Sequence, residues 1–263
     1  MSTLTRRAAD QEREATEMIV EELARAAAGL VVGYLVATLA ESVLHQHVQH
    51  AGPRFRRLQR RYPRLLGVFA RAYYSHHVVH HCLTFRRDYA HQFAGPGDRW
   101  ETDARIERHR RGYLRQIRAE RYGLTLGGAW GYAMFVAPVV PAAAAVYLAL
   151  GPVAAAAALL PLAVAYPLAS ELIHPLLHRP LAEHPPGWAG RVGRWVCRRR
   201  LVRYVLAHHY VHHRDPAVNF NLLPGGDFLR GVGRRPTADE FAAMLDLGLI
   251  EPRPPVGAGR GVD

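Results

Sequence analysis

The sequence predicts an all-α integral-membrane helical bundle with a histidine-rich metal-binding cap on its cytoplasmic side. Three observations lead to this fold class. Thirteen of the 16 histidines fall in four short clusters. A run of 49 residues, 122–170, contains no charged side chain. All 34 basic residues are arginines, and most of them lie in the segments that flank the apolar runs.

Two of the histidine clusters repeat one pattern: His-His-Val-Val-His-His over 76–81 and His-His-Tyr-Val-His-His over 208–213. Side chains three and four residues apart share a face of an α-helix. Each copy therefore presents three imidazoles together: His77, His80 and His81 in the first, and His209, His212 and His213 in the second. Neutral imidazole is the commonest metal ligand in proteins, so each copy predicts half of a metal cage. His76 and His208 lie off the shared face.

The other two clusters add further ligands. His174 and His178 are four residues apart, on one face of a predicted helix. His45 and His50 are five apart, or about 140° around a regular α-helix, so they need a helix end or a distortion to converge. His47 is a competing ligand in place of His45, because it lies three residues before His50.

The first elements are a surface helix and a marginal membrane segment. Residues 1–25 carry four arginines and six carboxylates with helical spacing of the apolar residues. Residues 26–40 are uncharged, and the apolar character continues past Glu41 to Leu44. A bilayer crossing needs about 20 residues, so 26–44 predicts a short transmembrane helix, with a re-entrant segment or a buried core helix as alternatives.

The uncharged run 122–170 predicts two membrane helices joined by a turn at Gly151 and Pro152, and a buried hairpin in a large soluble core is the alternative. With 26–44 this makes three crossings, and all four histidine clusters meet at one membrane surface.

Before the run, 100–121 predicts one charged amphipathic helix. After it, Thr237 and Glu240 form a capping box that opens a short helix to about Leu247.

Charge gives the orientation. Residues 51–121 hold 17 arginines against six acids, and 179–263 hold 13 against eight. A hairpin returns the chain to its starting side, so the positive-inside rule places both segments in the cytoplasm. The absence of lysine is typical of a GC-rich, bacterial coding sequence. Together with the three predicted crossings, it predicts a multi-pass protein of a bacterial inner membrane. No nucleic-acid partner is predicted, because no zinc finger or other nucleic-acid motif accompanies the arginines.

The joint histidine spacing resembles that of the fatty acid hydroxylase and sterol desaturase superfamily of integral-membrane di-iron enzymes, with the order HX3-4H, HX2HH, HX3H, HX2HH. The matching positions are His45 and His50, His77 with His80 and His81, His174 and His178, and His209 with His212 and His213. The resemblance covers about 26–231, the predicted membrane domain, with 1–25 as the surface helix and 232–263 as a short helix and a flexible tail. It implies that these ten histidines bind two iron ions, with O2 as co-substrate and a ferredoxin or a cytochrome b5 with its reductase as a separate two-electron donor.

The implied reaction is hydroxylation of an unactivated C–H bond of a lipid, with a fatty acyl chain as the first candidate substrate. A lipid desaturase or carotenoid hydroxylase of the same superfamily is an alternative, and a zinc-dependent membrane hydrolase or a metal-binding membrane protein is the alternative from another class. The segment after the last cluster is similar to the family's ending, but Asn221 stands where glycine is usual and Phe228 follows Asp227 instead of an aromatic residue preceding it. The long spacers before His77 and before His209 also depart from the pattern.

Four side chains are candidates for orienting the ligands: Glu171, Glu41, Asn219 and Asp227. A metal-bound imidazole usually donates its other N–H to such a partner, and Glu171 is the first candidate for that role. Glu171 and His174 also fit the Glu-x-x-His of soluble di-iron bundles, but the sequence lacks the second copy and the further glutamates of that scaffold.

Overall fold

Helix α1, Thr3–Leu44, is a single element of 42 residues against which much of the chain packs. The structure is a computed structural model, and it describes residues 3–252. All regular structure in that range is helical, without a strand, which confirms the all-α prediction. Helix α1 continues without a break past residue 25, so the predicted surface helix and the first apolar segment are one helix.

The arginine-rich segment forms short helices around two π-helices. In chain order they are a π-helix His45–Gln49, α2 Pro53–Arg61, α3 Pro63–Tyr73, a second π-helix Tyr74–Thr84, α4 Pro96–His109 and α5 Leu114–Ala119. A proline opens α2, α3 and α4, where its missing N–H leaves no helical bond unmade. The predicted single helix over 100–121 is wrong: Gly112, with a φ of +84°, lies in the turn that separates α4 from α5.

The uncharged run forms a hairpin whose turn lies at Gly151, with a φ of +87°. Its first arm consists of α6 Ala129–Val136, a 3-10 turn Ala137–Val139 and α7 Val140–Leu150. The second arm is nearly continuous and consists of α8 Pro152–Leu159, a π-helix Leu160–Ala165, α9 Tyr166–Leu168, a π-helix Ala169–Ile173 and α10 His174–Leu177. Pro138 and Pro141 lack the N–H that an unbroken first arm would need.

Two helices in the described range are long and apolar enough to cross a membrane: Asp10–Gln49 and Pro152–Leu177. The first arm of the hairpin contributes only the shorter apolar helix Val140–Leu150. The structure therefore supplies two helices of membrane-spanning length where the sequence predicts three.

Close contact between α1 and α8 depends on small residues. A Cβ atom added to Gly29 would lie 2.0 Å from Ala154 O, and one added to Gly33 would lie 2.2 Å from Ala158 O. Glycines four residues apart against alanines four apart allow two backbones to approach directly, as in helix pairs of membrane proteins. The two long apolar helices are thereby held side by side.

The C-terminal part covers the ends of these helices. It comprises a 3-10 turn Leu181–Glu183, α11 Trp188–Cys197, α12 Arg200–Arg214, α13 Gly226–Leu229 and α14 Ala238–Asp246. The predicted capping box is present: Thr237 Oγ1 accepts a bond from Glu240 N, and the Glu240 carboxylate accepts one from Thr237 N. Met244 and Leu249 then pack beneath α12 in the largest apolar cluster. Most of the predicted flexible tail, from 253 onward, lies outside the described residues.

Candidate metal centre

Ten histidines converge where the two long apolar helices end. In group 1, five imidazoles offer ligand atoms within 4.8 Å of one another: His45, His50, His76, His81 and His212. In group 2, four do so: His80, His174, His178 and His209. His213 forms a third set with His80 and His81, which joins the two groups. All four histidine clusters of the sequence thus meet in one place.

A π-helix brings His45 and His50 together. The π-helix begins at His45, and the N–H of His50 donates to the carbonyl of His45 at 2.9 Å. Because π-helical bonds join residues five apart, these two side chains face the same way. The distortion that the sequence requires between them is therefore this π-helix. His47 is exposed and lies in neither group.

The second π-helix changes which histidines of the first HHxxHH copy reach the site. The sequence predicts His77 as a ligand because it assumes α-helical geometry. In the π-helix Tyr74–Thr84, His76 and His81 are the pair five residues apart, and both lie in group 1. His76 is only 7% exposed. The structure thus places His76 where the sequence predicts His77.

His77 instead lies behind group 1. Its Nδ1 is 2.9 Å from Nδ1 of His50, and its ring stacks on Tyr73 with centroids 5.2 Å apart. This contact orients the His50 ring from the side opposite Nε2, which faces His212.

Helix α12 divides its three histidines between the groups instead of forming half of one cage. His212 enters group 1, His209 enters group 2, and His213 lies between them. The helix is buried from Val205 to His212. This burial brings the histidine face of α12 against both of the other histidine-bearing segments.

Backbone carbonyls orient four of the imidazoles. The Nδ1 atoms of His174, His178 and His212 each lie 2.8 Å from a carbonyl oxygen, those of Leu124, Tyr89 and Val218 respectively, and His45 Nδ1 contacts Phe220 O. A carbonyl can only accept, so Nδ1 carries the proton and Nε2 presents a lone pair. This is the usual orientation of histidines that bind metal through Nε2.

The distances between Nε2 atoms fit ligands of a common ion. His174 Nε2 and His178 Nε2 lie 3.0 and 3.1 Å from His209 Nε2, and His50 Nε2 lies 3.0 Å from His212 Nε2. Two nitrogens bound at right angles, each about 2.1 Å from one ion, are about 3.0 Å apart. Lone pairs that face a common point are the arrangement that a bound cation satisfies. The residues of both groups therefore fit metal ions.

Burial keeps these imidazoles in the neutral form that binds metal. Removal from water lowers the pKa of His212 to about 4. Burial, reinforced by neighbouring imidazoles, also lowers the pKa of His80 and His209 well below its ordinary value. Protons therefore compete weakly with a metal ion at neutral pH.

The two predicted glutamates act on the loops around the site. Glu171 accepts the N–H of Leu126 at 2.9 Å, two residues after the carbonyl that orients His174. Glu41 accepts the N–H groups of Leu222 and Leu223 at 2.7 and 3.0 Å, just after the Phe220 carbonyl that orients His45. Each carboxylate fixes a loop whose carbonyl orients an imidazole, rather than contacting the imidazole as the sequence predicts.

Asn219 and Asp227 also lie beside the groups. Asp227 accepts from His208 Nε2 at 2.8 Å and from the N–H of Asn221 at 2.7 Å. Asn219, whose φ is +59°, donates to the carbonyl of His208 at 3.2 Å. Asn221, which departs from the family pattern, donates to Thr38 O at 2.7 Å and ties this segment to α1. These side chains hold α12, α1 and the 219–227 segment together.

A small cleft of about 80 Å³ lies between the groups. Its walls include His45 and His76 of group 1 and His174 and His209 of group 2. Leu126 and Leu222 supply apolar wall. A small molecule or one end of a longer one could therefore approach both groups.

Comparisons of the chain with profiles of protein families, with characterised proteins and with solved structures found no match. What the chain does is therefore inferred from its histidine groups and from the helices that carry them.

Proposed function

We propose that the chain is a membrane-bound oxygenase that uses two iron ions, O2 and two electrons from a separate donor to hydroxylate an unactivated C–H bond of a lipid. A fatty acyl chain is the first candidate substrate. One observation carries the proposal: two adjacent groups of imidazoles lie where two long apolar helices end. The resemblance of the histidine spacing to the fatty acid hydroxylase and sterol desaturase superfamily supports it.

The five nitrogen donors of group 1 are one more than a structural zinc site uses. Imidazole suits iron, zinc, copper and nickel alike, but zinc in proteins is almost always four-coordinate at structural sites. Group 1 offers five nitrogens. A third set, His80, His81 and His213, joins it to group 2. A bound iron pair would supply the dioxygen-dependent oxidation that an unactivated C–H bond requires.

The chain's own residues would position and protect this chemistry. The carbonyls of Leu124, Tyr89 and Val218 hold ring orientations, so the Nε2 lone pairs need little rearrangement to bind. Burial of His209 and His212, at 2% and 0% exposure, keeps bulk water from the site. The cleft between the groups would receive the carbon to be oxidised.

The apolar helices support a lipid substrate and a membrane location. Only 33% and 31% of the residues in the two apolar windows are buried, so most of their side chains are not covered by protein. An apolar groove of about 610 Å³ lies between them, with Leu30 and Leu35 on one wall and Leu160 and Leu168 on the other. We propose a bacterial inner membrane with the histidine groups on the arginine-rich, cytoplasmic side.

Lipid analysis tests the function directly. Cells expressing the wild-type chain should contain lipids with one added oxygen atom, which His212→Ala should abolish and His47→Ala, at an exposed position of the same region, should retain. Loss of two hydrogens instead would identify a desaturase. Mössbauer spectra of anaerobically purified protein should show a coupled iron pair. Zinc in place of iron, with unchanged lipids, would refute the oxygenase and favour the hydrolase or metal-binding alternative.

A further inference from the structure

A separate groove of about 800 Å³ lies among α2, α3, the π-helix Tyr74–Thr84, α4 and the turn that follows α4. Its charged lining consists of four arginines: Arg56, Arg60, Arg105 and Arg110. No aspartate or glutamate lines the groove, so among described residues its formal charge is entirely positive.

Among the described residues, these arginines have no carboxylate partners. Other arginines of the described chain have them, as in Arg118 with Asp103 at 2.6 Å, but no ion pair involves any of the four. Two of them lie over tyrosine rings, Arg56 over Tyr73 and Arg110 over Tyr74. Their guanidinium groups are thus positioned, with N–H donors left for an incoming carboxylate.

A buried amide in the groove also lacks a partner. Gln59 lines the groove and is 4% exposed, yet its Nε2 makes no hydrogen bond. The Nε of Arg56 is likewise buried without a partner. Buried N–H groups are normally hydrogen-bonded, so within the described residues the polar atoms of this wall are left without an acceptor.

The groove lies directly behind group 1. Tyr73, in its lining, stacks on His77, and His77 Nδ1 lies 2.9 Å from His50 Nδ1. The groove is formed by segments outside both helices of membrane-spanning length. A flat bilayer would reach the rim of such a cavity but not its floor, whereas a protruding acidic surface of another protein would reach both.

We propose that this groove is the docking surface for the electron donor, an acidic iron–sulfur protein whose carboxylates pair with the four arginines. The proposal rests on the proposed oxygenase function, which requires such a donor. Docking here would bring the donor's cofactor against the back of group 1. Electrostatic complementarity of this kind gives partner choice and a strong dependence on salt.

The test compares two double variants of equal charge change on the same two helices. Arg60→Glu with Arg105→Glu alters the groove, and Arg57→Glu with Arg108→Glu alters exposed positions outside it. The probe is an acidic plant-type [2Fe–2S] ferredoxin, and its dissociation constant is measured by biolayer interferometry on the full chain in neutral phosphatidylcholine nanodiscs. The groove variant should bind at least tenfold more weakly than the wild type, and the control variant within about twofold.

Three results would overturn the proposal. The first is no ferredoxin binding by the wild type at low salt, and the second is an equal loss of ferredoxin affinity in both variants. The third is a groove variant that no longer binds phosphatidylglycerol vesicles while its ferredoxin affinity is unchanged. The last would make the groove a lipid-headgroup site. Binding needs no metal, so it is measured on metal-free protein as well. A chain that holds zinc and leaves lipids unaltered, but binds ferredoxin through the groove, would refute only the oxygenase.

Discussion

His50 Nε2 lies 3.0 Å from His212 Nε2, although 162 positions separate the two residues in the chain. His212 Nδ1–H donates to the Val218 carbonyl, so the lone pair of His212 Nε2 faces His50. A cation shared between the two rings would satisfy both nitrogens. Group 1 therefore depends on contacts between distant segments. Removal of one of its histidines should lower the amount of metal that the protein binds.

Replacing His212 should empty group 1 selectively. His212→Ala removes one of its five nitrogens, while the four histidines of group 2 stay in place. We expect the variant to lose about half of the bound metal, measured by mass spectrometry of the purified protein. His47→Ala, at an exposed position, should keep the wild-type content. Equal metal loss in both variants would contradict the assignment of groups.

Replacement of His76 and replacement of His77 should lower metal affinity to different extents. His76→Ala removes a ligand of group 1 and should abolish metal binding there. His77→Ala removes only the group that orients His50, and a supporting contact of this type is worth about 10-fold to 100-fold in metal affinity. Competition with a chelator measures both variants. Greater loss of affinity in His77→Ala than in His76→Ala would restore the α-helical assignment of the sequence.

The histidine clusters and the apolar runs could be predicted from spacing and composition because both are local properties. The turn at Gly151 and the capping box at Thr237 are local too, and the structure has both. The sequence analysis did not predict the close approach of Gly29 and Gly33 to α8, because hydropathy alone does not use the signal of two glycines four residues apart.

The choice between His76 and His77 could not be predicted, because it depends on whether a helical segment is α or π. Spacing of three and four residues favours His77 only in α-helical geometry. The groups that orient the imidazoles could not be predicted either. The carbonyls of Leu124 and Tyr89 reach His174 and His178 only after distant loops pack together. Sequence identifies candidate carboxylates but gives no sign that a main-chain carbonyl will take their place.

The glycine contact between the apolar helices should be intolerant of larger side chains. Gly33→Leu would force atoms into the backbone of Ala158, and overpacking of this kind costs about 1–3 kcal/mol. Thermal unfolding in detergent should show a lower midpoint. Gly67→Ala is the control: nothing lies within 4 Å of its added Cβ, and a glycine-to-alanine change within α3 should raise the midpoint slightly. Equal midpoints for Gly33→Leu and the wild type would exclude this close contact.

The C-terminal helix α14 should lose stability in acid. The bond from Arg234 lowers the pKa of Glu240 from its ordinary 4.5 to about 2. Because the folded-state pKa is depressed, the contribution is complete above about pH 4.5 and is lost as the pH falls toward 2. Glu240→Gln keeps an acceptor for the capping box but removes the charge, so it should cost on the order of 1 kcal/mol at neutral pH. The difference in unfolding midpoint between the two proteins should shrink between pH 4.5 and pH 3, and a constant difference would refute the pairing.

Helix α11 should lie at the membrane surface. Trp188, Val192 and Trp195 share one face, with exposures of 72%, 47% and 56%. On the opposite face, Gly193 packs near Leu176, in the last turn of the apolar helix Pro152–Leu177. In the proposed membrane location, the helix Pro152–Leu177 would end at the bilayer surface at this level. Tryptophans are typical of the lipid interface, and the arginines of α11 suit anionic headgroups.

Fluorescence quenching by brominated lipids measures this position. In a variant that retains Trp188 as its only tryptophan, with phenylalanine at the other three positions, bromine in the upper part of the acyl chain should quench most of the emission in reconstituted vesicles. The matched control retains only Trp100, which is 75% exposed on α4 in the arginine-rich segment and should stay in water. Because both side chains are similarly exposed, a difference in quenching between them reports contact with lipid. Quenching of Trp188 no stronger than that of Trp100 would place α11 away from the membrane and would leave its apolar face for a protein partner.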